Sequence, residues 1–213
     1  MIYLYIDTTT SYLYLGVVKD NVLLKEVKED YGKDLSSVTL KKISEVLESL
    51  NLTPSDIDKI IVVNGPGSFT GIRIGVTIAK TFAYSLGKEI TTISSLEAMA
   101  VSCKSDTKYI VPIIDARRGY VYSGIYDNNY NVVLKDQYIK LDTLILACNN
   151  LIDDYTFIGN INNLDITTTS YSPDILKIVN TYKDKESVNP HGVNPIYLKV
   201  TEAEENKKEE ILW

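Results

Sequence analysis

The chain has 213 residues, 45% of them hydrophobic and 23% charged, with a net charge of −6. That is globular composition with ample length for a core, and a net-acidic chain repels phosphate backbones, which counts against one that grips nucleic acid by itself. Its two cysteines, Cys103 and Cys148, form no CxxC pair and read as small apolar residues in a reducing compartment.

The opening MIYLYIDTTT lacks a basic leader segment, and no apolar run approaches the ~20 residues that span a bilayer. A cytoplasmic protein with no membrane contact is expected. IYLYI at 2–6 reads as a first strand, followed by YLYLGVV at 12–18 and VLLKEV at 22–27 across the turn Lys19-Asp20-Asn21. From Asp34 to Leu50 the apolar positions fall at helical spacing. KIIVVN at 59–64 reads as a buried strand, and NGPGSFTGIRIG leads into a helix that reaches Leu86 and ends at Gly87. Ser94 with Glu97 matches a capping box for a helix through Val101.

At residue 109 the pattern restarts. Sliding the N-terminus by 108 positions lays Ile2, Ile6, Asp7, Tyr12, Tyr14 and Gly16 over Ile110, Ile114, Asp115, Tyr120, Tyr122 and Gly124. The match predicts a duplicated unit of strand, Asp-bearing turn, strand, strand. A helix over 141–148, a strand near Tyr155–Ile158 and a helix opened by Ser172-Pro173 complete the second copy. Two such halves are the plan of the actin-like ATPase (ribonuclease H-like) fold, an α/β architecture with a mixed sheet and flanking helices in each subdomain. The expected division is 1–102 and 103–213. In that plan Asp7, Thr8 and Asp115 are the candidates for holding a nucleotide with magnesium. The turn role is the favoured one for Asp7 and Asp115, because Thr8-Thr9-Thr10 and Ala116-Arg117-Arg118 lack the glycines that let a phosphate reach the backbone.

NGPGSFTGIRIG fails the phosphate templates. A Walker A loop needs glycine five residues on from its first glycine, and Gly65, Gly67 and Gly71 are followed there by Thr70, Ile72 and Val76. The dinucleotide pattern fails because Gly71 falls one residue late, and Pro66 breaks a nucleophile elbow at Ser68. A helix N-terminus that binds an anion survives, as does a turn that needs positive φ. Gly71, Gly75, Ala79 and Ala83 form a stripe without bulk along the helix, which admits either this protein's own sheet or a partner helix. Only Arg73, Arg117 and Arg118 among 22 Lys and Arg residues are arginine, and all lie in the unusual motifs. The single histidine, His191, lies in NPHGVNP with no metal-ligand or triad spacing around it. The run TEAEENKKEEILW from Thr201 reads as a solvated charged tail, with Trp213 a candidate for docking on a partner.

IDTTTS, GPGSFTGIRIG followed by AK at 79–80, ISSLEAMA at 93–100, IDARRGYVY at 114–122 and PIYLK at 195–199 occur in this order. Together they resemble the bacterial TsaB (YeaZ) proteins over nearly the whole chain. The resemblance implies a non-catalytic scaffold in the synthesis of threonylcarbamoyladenosine at position 37 of tRNA. It implies pairing with and activating a TsaD-type transferase, help from a TsaE-type ATPase, homodimers when alone, and tRNA reached only through the complex. No cofactor is required on that account, with ATP or ADP and magnesium admitted at a partner interface. The family's TsaD-type paralogues carry an H-x-x-x-H metal pair that this chain lacks. Docking through helices 34–50 and 71–86 would use Leu35, Val38, Lys42, Val46, Ser68, Gly71, Arg73, Gly75, Ala79 and Phe82. An ATPase-like enzyme working between Asp7 and Asp115, and a glycoprotease-like peptidase, are the alternatives. Two departures from the family pattern are Leu35-Ser36 in place of His-Ser and Ile158-Gly159-Asn160-Ile161 in place of a glycine-rich turn.

Overall fold

The computed structural model describes residues 1–161 and 166–199. The charged tail with Trp213 lies outside the described residues. Five strands form the first sheet: β1 (Ile2–Asp7), β2 (Tyr12–Lys19), β3 (Val22–Asp30), β4 (Lys59–Val63) and β5 (Glu89–Ile93), in the order β3-β2-β1-β4-β5. β1 to β3 are antiparallel, whereas β4 pairs parallel to β1 and β5 to β4. The second sheet, β6 (Tyr109–Asp115), β7 (Tyr120–Asp127), β8 (Val132–Lys140) and β9 (Tyr155–Ile158), has the order β8-β7-β6-β9 and repeats that plan. An antiparallel meander continued by parallel strands is the ribonuclease H-like order, and two in tandem make the actin-like ATPase fold.

Helices α1 (Leu35–Ser49) and α2 (Phe69–Leu86) cover one face of the first sheet. β1 is apolar on both faces because both are covered: Leu4 and Ile6 face α1 and α2, while Tyr3 and Tyr5 face the other side. α1 buries Leu35, Thr39, Ile43, Val46 and Leu47 and leaves its charges in water. α2 is capped by Ser68 and closed by Gly87 at φ 62°. α3 (Ser95–Ser102) carries the expected capping box, Ser94 with Glu97, and packs between the two sheets. α4 (Leu141–Leu151) covers the second sheet.

Three features differ from the sequence reading. β5 was not expected. The fifth helix, α5 (Ile175–Tyr182), begins two residues after Pro173, because Asp174 caps it by accepting from the Lys177 amide at 3.0 Å. And the chain from α5 onward, read as part of the second half, returns to the first. Ile175, Ile178 and Val179 pack against Tyr3, Tyr5, Tyr14 and Ile61. A Cβ on Gly16 would stand 2.5 Å from Ile175 Cγ2, so glycine there lets α5 lie on the sheet. The buried Lys59 ammonium donates to the carbonyls of Lys183 (3.0 Å) and Lys185 (2.6 Å), and the Ile196 amide donates to Asn64 O at 2.8 Å.

The duplication also holds with a slip. Tyr14 pairs with Asp7, but its sequence match Tyr122 pairs with Ile114. The first strands of the two halves are therefore offset by 107 residues and the second strands by 108. A slip of one turns every side chain to the other face. Ile113 takes the place of Ile6 and Ile114 the place of Asp7, with Val111 and Ile113 facing α4 and Ile110 and Ile114 facing α3.

Candidate functional site

A cleft of about 230 Å³ separates the halves, lined by Asp7, Thr9 and Thr10 from the first turn and Ile114 and Asp115 from the second, with Ser95 and Met99 of α3 and Tyr171. The two Asp-bearing turns thus share one cleft, but they are not equivalent. Asp7 is 2% exposed and its Oδ1 accepts from the Thr9 amide at 2.8 Å and the Thr9 hydroxyl at 2.7 Å. Burial pushes its carboxyl above the ordinary value, and the Thr9 bonds together with a long one from the Tyr5 hydroxyl to Oδ2 (3.5 Å) oppose that rise. Asp115 is exposed and accepts from the Arg117 amide at 2.7 Å. Thr8, expected to hold a nucleotide, does not line the cleft: it is fully buried and its hydroxyl donates to Gly71 O of α2 at 2.7 Å. Among the described residues no three His, Cys, Asp or Glu side chains are grouped to hold a metal. A magnesium ion would have two carboxylates here, Asp7, whose Oδ2 takes no bond from Thr9, and Asp115.

The glycines of NGPGSFTGIRIG serve internal packing. A Cβ on Gly71 would stand 2.1 Å from Thr8 O, and one on Gly75 would stand 2.4 Å from Thr8 Oγ1. The Ser68 amide donates to Thr9 O at 2.7 Å, and the Ser68 hydroxyl accepts from the Gly71 amide at 3.3 Å. The start of α2 is therefore pressed onto the Asp7 turn, which takes the Ser68 amide, while the Gly71 amide is taken by the Ser68 hydroxyl.

This overturns half of the expected docking list. Leu35, Val46, Gly71, Gly75 and Ala79 are buried in the first core and face no partner. Val38, Lys42, Ser68, Arg73 and Phe82 reach the surface. Leu40, Phe69 and Tyr84 are also exposed and Ile74 and Ile78 half-buried on the same two helices, and none of them was on the expected list. Their signal was present, since Phe69, Arg73 and Thr77 repeat every four residues on the side opposite the glycines. Ser36, Phe69, Thr70, Arg73, Ile74, Thr77 and Ile78 line a shallow groove between α1 and α2.

Arg73 has an internal target. Its guanidinium carbon lies 3.9 Å from the Phe69 ring centroid, and its Nε donates to the Tyr197 hydroxyl at 2.8 Å. Phe69 and Tyr197 stack with centroids 4.9 Å apart. The motifs GPGSFTGIRIG and PIYLK are joined by these contacts. His191 packs edge-on against Tyr84, with centroids 4.5 Å apart. No hydrogen bond links its ring to a carboxylate or serine among the described residues, so the triad requirement fails on geometry.

The chain matches a family model described as TsaD: tRNA N6-adenosine threonylcarbamoyltransferase, over residues 25–182. It is 32% identical over 221 residues to the tRNA threonylcarbamoyladenosine biosynthesis protein TsaB of Bacillus subtilis (strain 168), which covers 96% of each chain. Against the protein of the same name from Buchnera aphidicola subsp. Schizaphis graminum (strain Sg) it is 34% identical over 146 residues, or 68% of each. Its fold is that of YeaZ from Pseudomonas aeruginosa, with a TM-score of 0.76 at 17% identity over 92% of this chain and 100% of that one.

Proposed function

The chain belongs to the TsaB family of tRNA threonylcarbamoyladenosine biosynthesis proteins, and from that premise we propose that it is the accessory, non-catalytic partner of a TsaD-type transferase. The observation that carries this reading is the outward face of α1 and α2. Phe69, 50% exposed, lines a groove with Ile74 and Ile78, and Leu40 on α1 (59%) and Tyr84 towards the end of α2 (63%) are further exposed on these two helices. Exposed apolar side chains along two adjacent helices, with an arginine among them, are the composition of a protein–protein contact. A second copy of the chain would use the same face in a homodimer, so homodimer and heterodimer exclude each other. The transferase pairs here and is activated, a TsaE-type ATPase completes the complex, and tRNA is met within it, in the cytoplasm.

The cleft supports the non-catalytic part of the reading. Ile114 stands where a second inward carboxylate would face Asp7, and Asp7 is already bonded within its own turn. A nucleotide reading remains for the cleft on one observation, that Asp7 and Asp115 both line it. Titration calorimetry with ATP and magnesium decides it: binding lost in Asp115→Ala would support a nucleotide site, and no heat would remove it.

Docking is tested with Ile74→Glu/Ile78→Glu and, separately, Leu40→Glu. Leu40 is exposed, so its variant should melt close to wild type, whereas Ile74 and Ile78 also pack on the first core and the double variant should melt lower. Measured where both variants are folded, pairing with the transferase should weaken about a hundredfold in the double variant. Normal pairing by a folded variant would overturn the docking face.

A further inference from the structure

We propose that the Arg117-Arg118 turn and the tyrosine ladder beside it form a contact surface for unpaired RNA, the single-stranded loop of the tRNA met in the complex; this rests on the preceding reading. Arg117, Arg118 and Gly119 have φ of 68°, 56° and 77°. Left-handed backbone favours glycine and asparagine, and two consecutive arginines there are costly. The backbone does not ask for arginine, so the side chains must. Neither side chain makes a hydrogen bond or ion pair with a described residue; the turn is held through the Arg117 amide on Asp115 and the Tyr120 amide on Arg117 O. Both side chains are exposed. With Arg73 engaged by Phe69 and Tyr197, these are the two arginines left without an internal target among the described residues.

The turn leads directly into a stack of half-exposed rings. Tyr120 and Tyr138 lie 4.5 Å apart and 8° from parallel, and Tyr122 stands 5.7 Å from Tyr138. Lys140 Nζ is 5.8 Å from the Tyr120 centroid, and Lys199 Nζ is 5.7 Å from that of Tyr138. Neither lysine is ion-paired among the described residues. Cross-strand packing alone would account for the tyrosines. It would not account for arginines on a strained turn at the end of the ladder. Aromatic rings beside unpaired cations are how proteins hold single strands, with bases stacked on the rings and phosphates on the cations. The rings favour an unpaired strand, since a duplex keeps its bases inside and would use the arginines only.

The test is fluorescence anisotropy of the full chain, alone and paired with the transferase, on a labelled tRNA anticodon stem-loop, with a blunt duplex RNA and a polyglutamate peptide as controls. Wild type should prefer the stem-loop. Arg117→Gly/Arg118→Gly, which relieves the backbone and so keeps the fold, should weaken binding about tenfold and flatten the slope of log affinity against log salt by about 1.4. Tyr138→Leu should weaken binding about tenfold without changing that slope. No preference for the stem-loop over the duplex, preference for the acidic peptide, or a double-glycine variant with wild-type affinity and slope would each overturn the proposal. The double-glycine variant should pair normally with the transferase. The Ile74→Glu/Ile78→Glu variant should keep its RNA binding, so failure of the docking reading shows separately.

Discussion

The Asp7 turn and the Asp115 turn occupy matching places in a duplicated fold and do different work. The first is buried, its carboxylate is bonded to Thr9, and the start of α2 is seated on Thr8 and Thr9. The second is exposed, its carboxylate holds only the next turn amide, and it carries two arginines in left-handed conformation. One copy has become a packing element and the other a display element. The lesson is that an acidic residue at a cleft is no sign of chemistry until its oxygens are shown to be free.

The sharpest way to break this contrast is at the seam between α2 and the first turn. Gly71→Ala should destabilise the fold by about 3 kcal/mol, because its Cβ meets the Thr8 carbonyl, a backbone atom that cannot step aside; urea unfolding at wild-type stability would refute the seam. Next comes Asp7 itself. Asp7→Ala should cost about 2 kcal/mol by leaving the buried Thr9 groups unpaired. Asp7→Asn adds a test with a sign. A carboxyl whose folded pKa is raised contributes stability that is full below its ordinary value, 3.8, and is lost as pH rises through the higher folded value. The difference in stability between wild type and Asp7→Asn should therefore shift against wild type from pH 3.8 upward, and a difference independent of pH would refute the burial argument. The smallest effect belongs to the second turn: Asp115→Ala should change stability by no more than about 0.5 kcal/mol, and a larger loss in the same urea series would mean the turn is structural after all.

Much of this was legible in the chain. The three-strand meander, α1, the capped α3 and the Gly87 stop follow from periodicity and capping residues, and they stand as read. Three things were not. β5 is five residues long, EITTI, and its apolar content does not separate it from a loop. The slip between the halves was hidden because Ile6 and Asp7 match Ile114 and Asp115 in sequence, and only strand pairing reveals that Ile114 stands opposite Tyr122. The small-residue stripe of α2 showed that something approaches closely, but a helical period does not say from which side. Burial turned it inward and left the opposite side of α2 exposed. For the cleft, the two Asp turns were found from sequence, whereas Thr8 pointing into α2 depends on a contact 63 residues away.

The return of α5 and the segment up to Ile196 has a consequence for how the molecule is made. Tyr3, Tyr5 and Ile61, on strands that leave the ribosome early, are covered by Ile175, Ile178 and Val179, and Asn64 waits for the amide of Ile196. The first half emerges complete in its meander, yet that face is covered only in part, by Ala98 and Val101 of α3, until residues 175–196 have been synthesised. The first half is therefore sealed only after the second sheet has been made, although it lies before it in the chain.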